Sequence, residues 1–396
     1  MTNIDELPFS ARGDALIGQE MFKVLDNAKK LELDGKKVFH LELGSPRMPP
    51  PEEIFQETIK ALENKLTGYT SSSGLLELRE EIGRQYSLNQ KKIISVEEVV
   101  ISPANLLVSQ FMDLVCDRGD RIVLFSPFFP TYLAASTYIG LDVQDIPLSA
   151  ENGFDLTIEA VDKALATQPR AIIVNSANNP TGRVYSQNLL EYLAKKCNEA
   201  GVWLLSDETY ASIAFGRPFF SLAGLDHPQL VVISSFSKNF SIPGYRTGYA
   251  IANKKVTEKL TLSNSTLFSC APAFTQLGCL AGLRQLQEYA DKLKLHYKKT
   301  SKEIAKVMRR SSVVEIVDPD AAFYLFVDIS QTSLKDTEFC ELLLSQKHTA
   351  TTPGSSFGKQ FDNFVRIAFC GNIEDVKEGV NRFMDFSEEY TAKNIV

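Results

Sequence analysis

Three short stretches end in residue types that can do chemistry together. "VVISSFSK" delivers Ser235, Ser237 and Lys238, and Arg246 follows eight residues after the lysine. "VWLLSDETY" delivers Asp207 and Tyr210, and "AIIVNSANNPTG" delivers Asn175, Asn178 and Asn179. An amine near another cation and partly out of water gives up its proton more readily, so Lys238 beside Arg246 suits a nucleophile or a base. Hydroxyls with a guanidinium suit an anion such as a phosphate, which arginine can hold through two parallel hydrogen bonds. Each stretch alone also has a plain reading. Asn-Asn-Pro-Thr-Gly is good turn chemistry, Asp207 can cap a following helix, and Lys238 can point into solvent.

Bringing these groups together requires a scaffold that ends several strands at one edge. Short apolar runs predict strands at Val99–Ile101, Arg121–Phe125, Leu141–Ile146, Ala171–Asn175, Val202–Ser206, Val231–Ser235 and Thr247–Ile251. Between two of them, Leu190, Leu193, Ala194 and Cys197 recur at helical spacing, and Gly201 supplies a stop. Strands alternating with helices predict an α/β fold, a doubly wound and mostly parallel sheet covered on both faces. Such sheets bind ligands just beyond the carboxyl ends of their strands.

Composition narrows the partner. A chain of 396 residues is long enough for two to three folding units. Its formal charge of −7 argues against nucleic acid, whose phosphates call for clustered Lys and Arg. No apolar run is long enough to span a membrane and the amino terminus has no secretory pattern, so the expected compartment is the cytoplasm. Six scattered cysteines without a C-x-x-C pair read as buried thiols, and four isolated histidines predict no metal site. The expected partner is a small molecule.

An ordered series of motifs then becomes informative. It runs "LELGSP", "YTSSSGLLELR", "SPFFPTY", "NNPTG", "SDETY", "SFSK" with Arg246, "AAFY", "PGSSFG" and "VRIAF". In this order, over nearly the whole chain, it resembles the fold-type I aminotransferases of classes I and II, the aspartate aminotransferase superfamily. The resemblance implies pyridoxal 5'-phosphate as cofactor and an amino acid and a 2-oxo acid as substrates, exchanged by a ping-pong mechanism. It implies a Lys238 Schiff base, with the same amine moving the substrate's α-proton, and a phosphate grip made by Ser235, Ser237 and Arg246. Asp207 would keep the pyridine nitrogen protonated. Tyr210 and Asn179 would hydrogen-bond the ring's oxygen, and Phe129, which could equally be a core residue, would stack on the ring. Ala104 and Asn105 stand where the family usually has two small residues at a helix amino terminus, a natural anion site, although Asn105 also reads as an ordinary helix start. Arg366, with Asn179 and the backbone of Gly44, would bind the substrate carboxylate. Tyr69 would reach the cofactor phosphate of a neighbouring subunit, which implies a homodimer with shared sites.

The implied architecture is a large cofactor-binding domain over 45–285 and a smaller α+β domain made of 1–44 plus 286–396, with a helix around Gln285 to Met308 carrying the chain between them. Ala177, Ala321 and Arg47 depart from the family pattern, and Arg47 could meet an acidic side chain or lie in solvent. A cofactor-dependent lyase or decarboxylase on the same scaffold, and a regulatory protein that uses the cofactor as a sensor, remain alternatives.

Overall fold

The computed structural model describes residues 9–89 and 92–393. The central sheet has seven strands: β1 (Val99–Ile101), β2 (Arg121–Ser126), β3 (Asp142–Pro147), β4 (Ala171–Val174), β5 (Trp203–Asp207), β6 (Leu230–Ser235) and β7 (Gly248–Ala252). Each falls within one residue of its predicted limits. Their order across the sheet is β1-β7-β6-β5-β4-β2-β3. All neighbouring pairs are parallel except those that β7 makes with β6 and β1.

Alternation along these strands builds two cores. Val123, Ile172, Leu204 and Val232 face one cluster, while Ile122, Ile173, Leu205 and Val231 face the other. A strand buried on both faces can afford no polar residue until it ends, which is why the apolar runs are continuous and the polar groups wait at the carboxyl ends. On the first face lies the helix Gln187–Ala200, with Leu190, Leu193, Ala194 and Cys197 all buried and Gly201 ending it at φ 66°. On the second lie the helices Ala104–Val115 and Pro130–Ile139, which contribute Phe111, Met112, Tyr132 and Ile139.

The chain leaves this sheet through the 23-residue helix Leu286–Met308. It then forms an antiparallel sheet of β8 (Glu315–Ile316), β9 (Tyr324–Asp328), β10 (Thr352–Pro353) and β11 (Phe364–Ala368), in the order β10-β11-β9-β8. The amino-terminal segment joins this part: Phe39–His40 pairs in parallel with Thr349–Ala350, and Ala368 N donates to Leu41 O at 2.7 Å. Among the described residues no helix is long and apolar enough to cross a membrane.

Gly248 marks the tightest approach between sheet and helix near the site. A Cβ there would stand 2.7 Å from Ser234 O and 3.1 Å from Ala104 N. Both are backbone atoms that cannot swing aside, so Gly248→Ala is expected to lower the unfolding free energy by about 1–3 kcal/mol. Chemical denaturation measures this, and an unshifted midpoint would contradict the packing described.

Candidate active site

Strands β4, β5 and β6 are parallel neighbours, so their carboxyl ends lie side by side and bring Asn175, Asp207 and Ser235 to one edge. A cavity of about 470 Å³ opens there. Of the residues assigned to cofactor or substrate from the sequence, Gly44, Ala104, Asn105, Phe129, Asn179, Asp207, Tyr210, Ser235, Ser237, Lys238, Arg246 and Arg366 line it, and Tyr69 does not. Tyr69 is 91% exposed on a loop elsewhere. Arg47 is exposed and outside the lining.

Lys238 follows β6 in the short helix Phe236–Asn239, which Ser235 caps by accepting from Ser237 N at 3.1 Å. The lysine does not point into solvent. Its Nζ donates to Gly44 O, and burial pulls its pKa down to about 8, with smaller contributions from the Arg366 and Arg246 cations. Burial, more than the nearby Arg246, therefore makes this amine ready to lose its proton, which corrects the emphasis of the sequence reading. Arg246 itself is exposed at the cavity's edge, with Nη1 donating to Pro243 O at 2.9 Å. Nearby, Ala104 and Asn105 open the helix Ala104–Val115, whose first N–H groups have no partner within the helix. Ser235, Ser237, Arg246 and this helix end all border the cavity.

Asp207 is buried, and desolvation raises its pKa against hydrogen bonds that pull the other way. Tyr132 Oη donates to Oδ2 at 2.6 Å and Thr209 N to Oδ1 at 3.0 Å. Thus the carboxylate closes a local turn, rather than capping the helical turn Ala211–Ile213, which begins after Tyr210, and it also faces the cavity. Asn175 Nδ2 holds the Asp207 carbonyl at 2.9 Å, and its Oδ1 accepts from Asn179 N at 2.9 Å. Asn178 is a turn residue, its Oδ1 accepting from Thr181 N and Oγ1.

Arg366 enters from β11, opposite the strand ends. It is 1% exposed, and burial lowers its pKa. Nη1 donates to Asn179 Oδ1 at 3.2 Å, and Nη2 donates to Glu42 O and to Thr352 Oγ1. Its guanidinium lies 4.6 Å over the Tyr324 ring and 4.9 Å over Phe357. Nε has no partner. Among the described residues no ion pair involves Arg366, Lys238, Arg246 or Asp207. Three cations and a carboxylate thus border one cavity without internal counter-charges.

Two tyrosines were missed as site residues although both lay inside quoted motifs. Tyr132 supports Asp207 from 75 positions away. Tyr324 Oη is 2.8 Å from Tyr210 Oη, across 114 positions, and burial pushes its pKa up to about 12. Tyr324 also explains Gly44, where a Cβ would stand 1.9 Å from that hydroxyl. Gln19, Met21 and Phe22 complete the wall from the amino-terminal segment, and nothing in their local sequence signals it.

The depressed pKa of Lys238 has a measurable consequence. Below about 8 the amine is protonated in folded and unfolded chains alike, and burying that charge costs stability in full. The cost shrinks as pH rises from about 8 toward the unfolded value of 10.5. Cofactor-free Lys238→Met is therefore expected to be more stable than wild type near neutral pH, with the difference fading toward pH 10 in denaturation curves. A pH-independent difference would contradict the assignment.

The geometry agrees with comparisons to known proteins. Residues 36–383 match the family described as "Aminotransferase class I and II". The chain is 32% identical over 363 residues to an aspartate aminotransferase of Thermotoga maritima, covering 91% of this chain and 94% of that protein. It is 30% identical over 378 residues to a (5-formylfuran-3-yl)methyl phosphate transaminase of Methanocaldococcus jannaschii, covering 94% and 98%. A crystal structure of aspartate aminotransferase from Thermotoga maritima superposes with a TM-score of 0.88 at 30% identity, covering 96% of this chain and 99% of the other. The match spans the strand-end cavity and the Arg366 sheet together, and the chain belongs to the class I and II aminotransferases.

Proposed function

We propose that this aminotransferase carries pyridoxal 5'-phosphate on Lys238 and takes its substrates by their α-carboxylate on Arg366. The observation that supports this best is the buried Arg366, whose Nε lacks a partner and which faces the same cavity as Lys238 and Asp207. The donor set fits the cofactor. Ser235, Ser237, Arg246 and the amino terminus at Ala104 and Asn105 suit a phosphate dianion. Asp207 suits a protonated ring nitrogen, Lys238 an aldehyde, and Tyr210 and Asn179 a ring oxygen, with Phe129 against the ring face. When bound, the cofactor supplies an electrophilic carbon for amines and a ring that takes up negative charge from the substrate's α-carbon.

The side chains then have distinct tasks. Lys238 Nζ, whose pKa is near 8, takes and returns the proton at the substrate's α-carbon. Asp207, held by Tyr132, would favour a protonated ring nitrogen when the cofactor is bound. Arg366 forms a planar two-point pair with the substrate carboxylate, replacing water lost on entry. The first amino acid would leave its amino group behind in the site and depart as a 2-oxo acid, and a second 2-oxo acid would collect that amino group, so the two half-reactions use one site in turn.

Two further readings complete the proposal. The exposed Tyr69 lies in a segment with exposed Leu66 and Leu76, near Phe55 and Ile59 on the preceding helix. Exposed apolar residues in this part of the chain suit a two-fold homodimer in which Tyr69 reaches the partner's phosphate site. All six cysteines are free and five are buried, which supports a reducing compartment such as the cytoplasm.

The test is single-turnover half-transamination: the reconstituted enzyme, given single amino acids without any 2-oxo acid, should release one equivalent of 2-oxo acid. Ammonia or carbon dioxide instead would favour the lyase or decarboxylase reading. Arg366→Ala is expected to raise KM for amino acids by at least about a hundredfold, roughly 3 kcal/mol for a lost charged pair, with cofactor still bound. An unchanged KM would remove Arg366 from the carboxylate site.

A further inference from the structure

Glu42 is fully buried, yet its carboxylate lies outside the cavity lining. Oε1 is 2.8 Å from His40 Nδ1, and His40 Nε2 is 3.2 Å from Glu32 Oε1 on the helix Glu20–Leu33. Oε2 has no partner. Side chains two apart in an extended segment share a face, so His40 and Glu42 form a pair on one side of it. The backbone of the same segment serves the site. The Glu42 carbonyl accepts from Arg366 Nη2 and, at 2.8 Å, from Thr352 Oγ1. Two residues on, the Gly44 carbonyl accepts from Lys238 Nζ. One stretch of chain therefore anchors both cations that would meet a substrate.

A buried carboxylate is an expensive way to fill space, since taking an ion out of water costs several kcal/mol unless it is well paired. Here it does more than fill space. Its pairing with His40 at 2.8 Å ties down the segment whose carbonyls hold Arg366 and Lys238. We infer that Glu42, locked by His40, is a positioning residue for Arg366: it sets the carbonyl that holds the guanidinium in line with an incoming carboxylate. This rests on Arg366 being the carboxylate clamp.

The pair responds to pH in a definite direction. Glu42 and Glu32 are the charges acting on His40, and they push its pKa from 6.5 up to about 9. Other charged groups packed nearby are engaged around Phe39: Arg382 and Lys37 lie over its ring, Lys37 pairs with Asp375, and Arg382 with Glu378. On the other side Lys347 pairs with Glu389, and His348 Nδ1 lies 3.4 Å from Leu344 O. The stabilisation from a charged His40 is complete below its unfolded value of 6.5 and is lost as pH rises through about 9. Above that, Glu42 is left buried beside a neutral imidazole, and the hold on the segment weakens.

The experiment uses the holoenzyme and pyruvate, a 2-oxo acid that presents the carboxylate and has no group titrating at alkaline pH. Its dissociation constant is measured by calorimetry from about pH 7 to pH 10 for wild type, Glu42→Gln, His40→Gln and Arg366→Lys, alongside cofactor affinity and melting temperature. Glu42→Gln is expected to weaken pyruvate by about tenfold near pH 7, equal to roughly 1.4 kcal/mol, with cofactor affinity unchanged. Wild-type affinity should fall as pH passes about 9, and His40→Gln should abolish that fall. If both variants lower only the melting temperature and keep wild-type affinity and pH profile, the pair is a structural ion pair and the inference is wrong. Should Glu42→Gln not fold, the His40→Gln profile decides alone. If Arg366→Lys also keeps wild-type affinity, the clamp itself fails, which distinguishes the two claims.

Discussion

Charge held out of water without a counter-charge is the constraint around which this molecule is organised. Arg366 and Asp207 are buried and Lys238 is half-buried, yet among the described residues none of them has an ion-pair partner. Backbone carbonyls, the Asn179 side-chain amide, the Thr209 backbone N–H and hydroxyls hold them instead. Each such arrangement destabilises the empty protein relative to an apolar filling. The same deficit leaves open pairings of the kind that a carboxylate, a phosphate or a protonated ring nitrogen would complete, which is the ground for the function proposed above. Stability is supplied elsewhere, by the two apolar faces of the seven-stranded sheet.

That constraint explains why the site is assembled from distant parts of the chain. A single strand end cannot hold a carboxylate, an amine and a guanidinium in fixed mutual positions. Parallel β4, β5 and β6 fix Asn175, Asp207 and Lys238 on one side. The antiparallel pairing of β11 with β9 and β10 fixes Arg366 on the other. The segment through Glu42 and Gly44 ties the two sides together with its carbonyls. A tightly packed contact between Gly44 and Tyr324 keeps that segment close, since any side chain there would occupy the hydroxyl's place.

Much of this was legible in the sequence, for identifiable reasons. Strands buried on both faces must be continuous apolar runs, and six of the seven central strands could be read that way nearly to their ends; the edge strand β3 is only partly buried and carries Asp142, Gln144 and Asp145. Polar groups clustered at three of those ends pointed to the cavity. Lys238, Asp207, Asn179 and Arg366, singled out through motifs, all line it. What escaped was contact without local pattern. Tyr132 and Tyr324 meet their partners across 75 and 114 residues, and neither tyrosine differs locally from a core aromatic. Glu42 sat within a quoted motif, but nothing about "LELGSP" says that its carboxylate is buried against His40 while its carbonyl receives Arg366. Local spacing could rank Arg246 as the neighbour that tunes Lys238, whereas depth of burial is a property of the whole fold.

The central claim is that one lysine at the end of β6 joins a carboxyl-binding arginine from the second sheet in a single reaction centre. The most direct measurement is reduction of the reconstituted enzyme with borohydride, followed by peptide mass mapping. The account predicts that the mass of the reduced cofactor is carried by Lys238 alone, and that saturating the enzyme with an amino acid beforehand prevents the labelling. Labelling at another lysine, or labelling of Lys238 that amino acids do not displace, would contradict it.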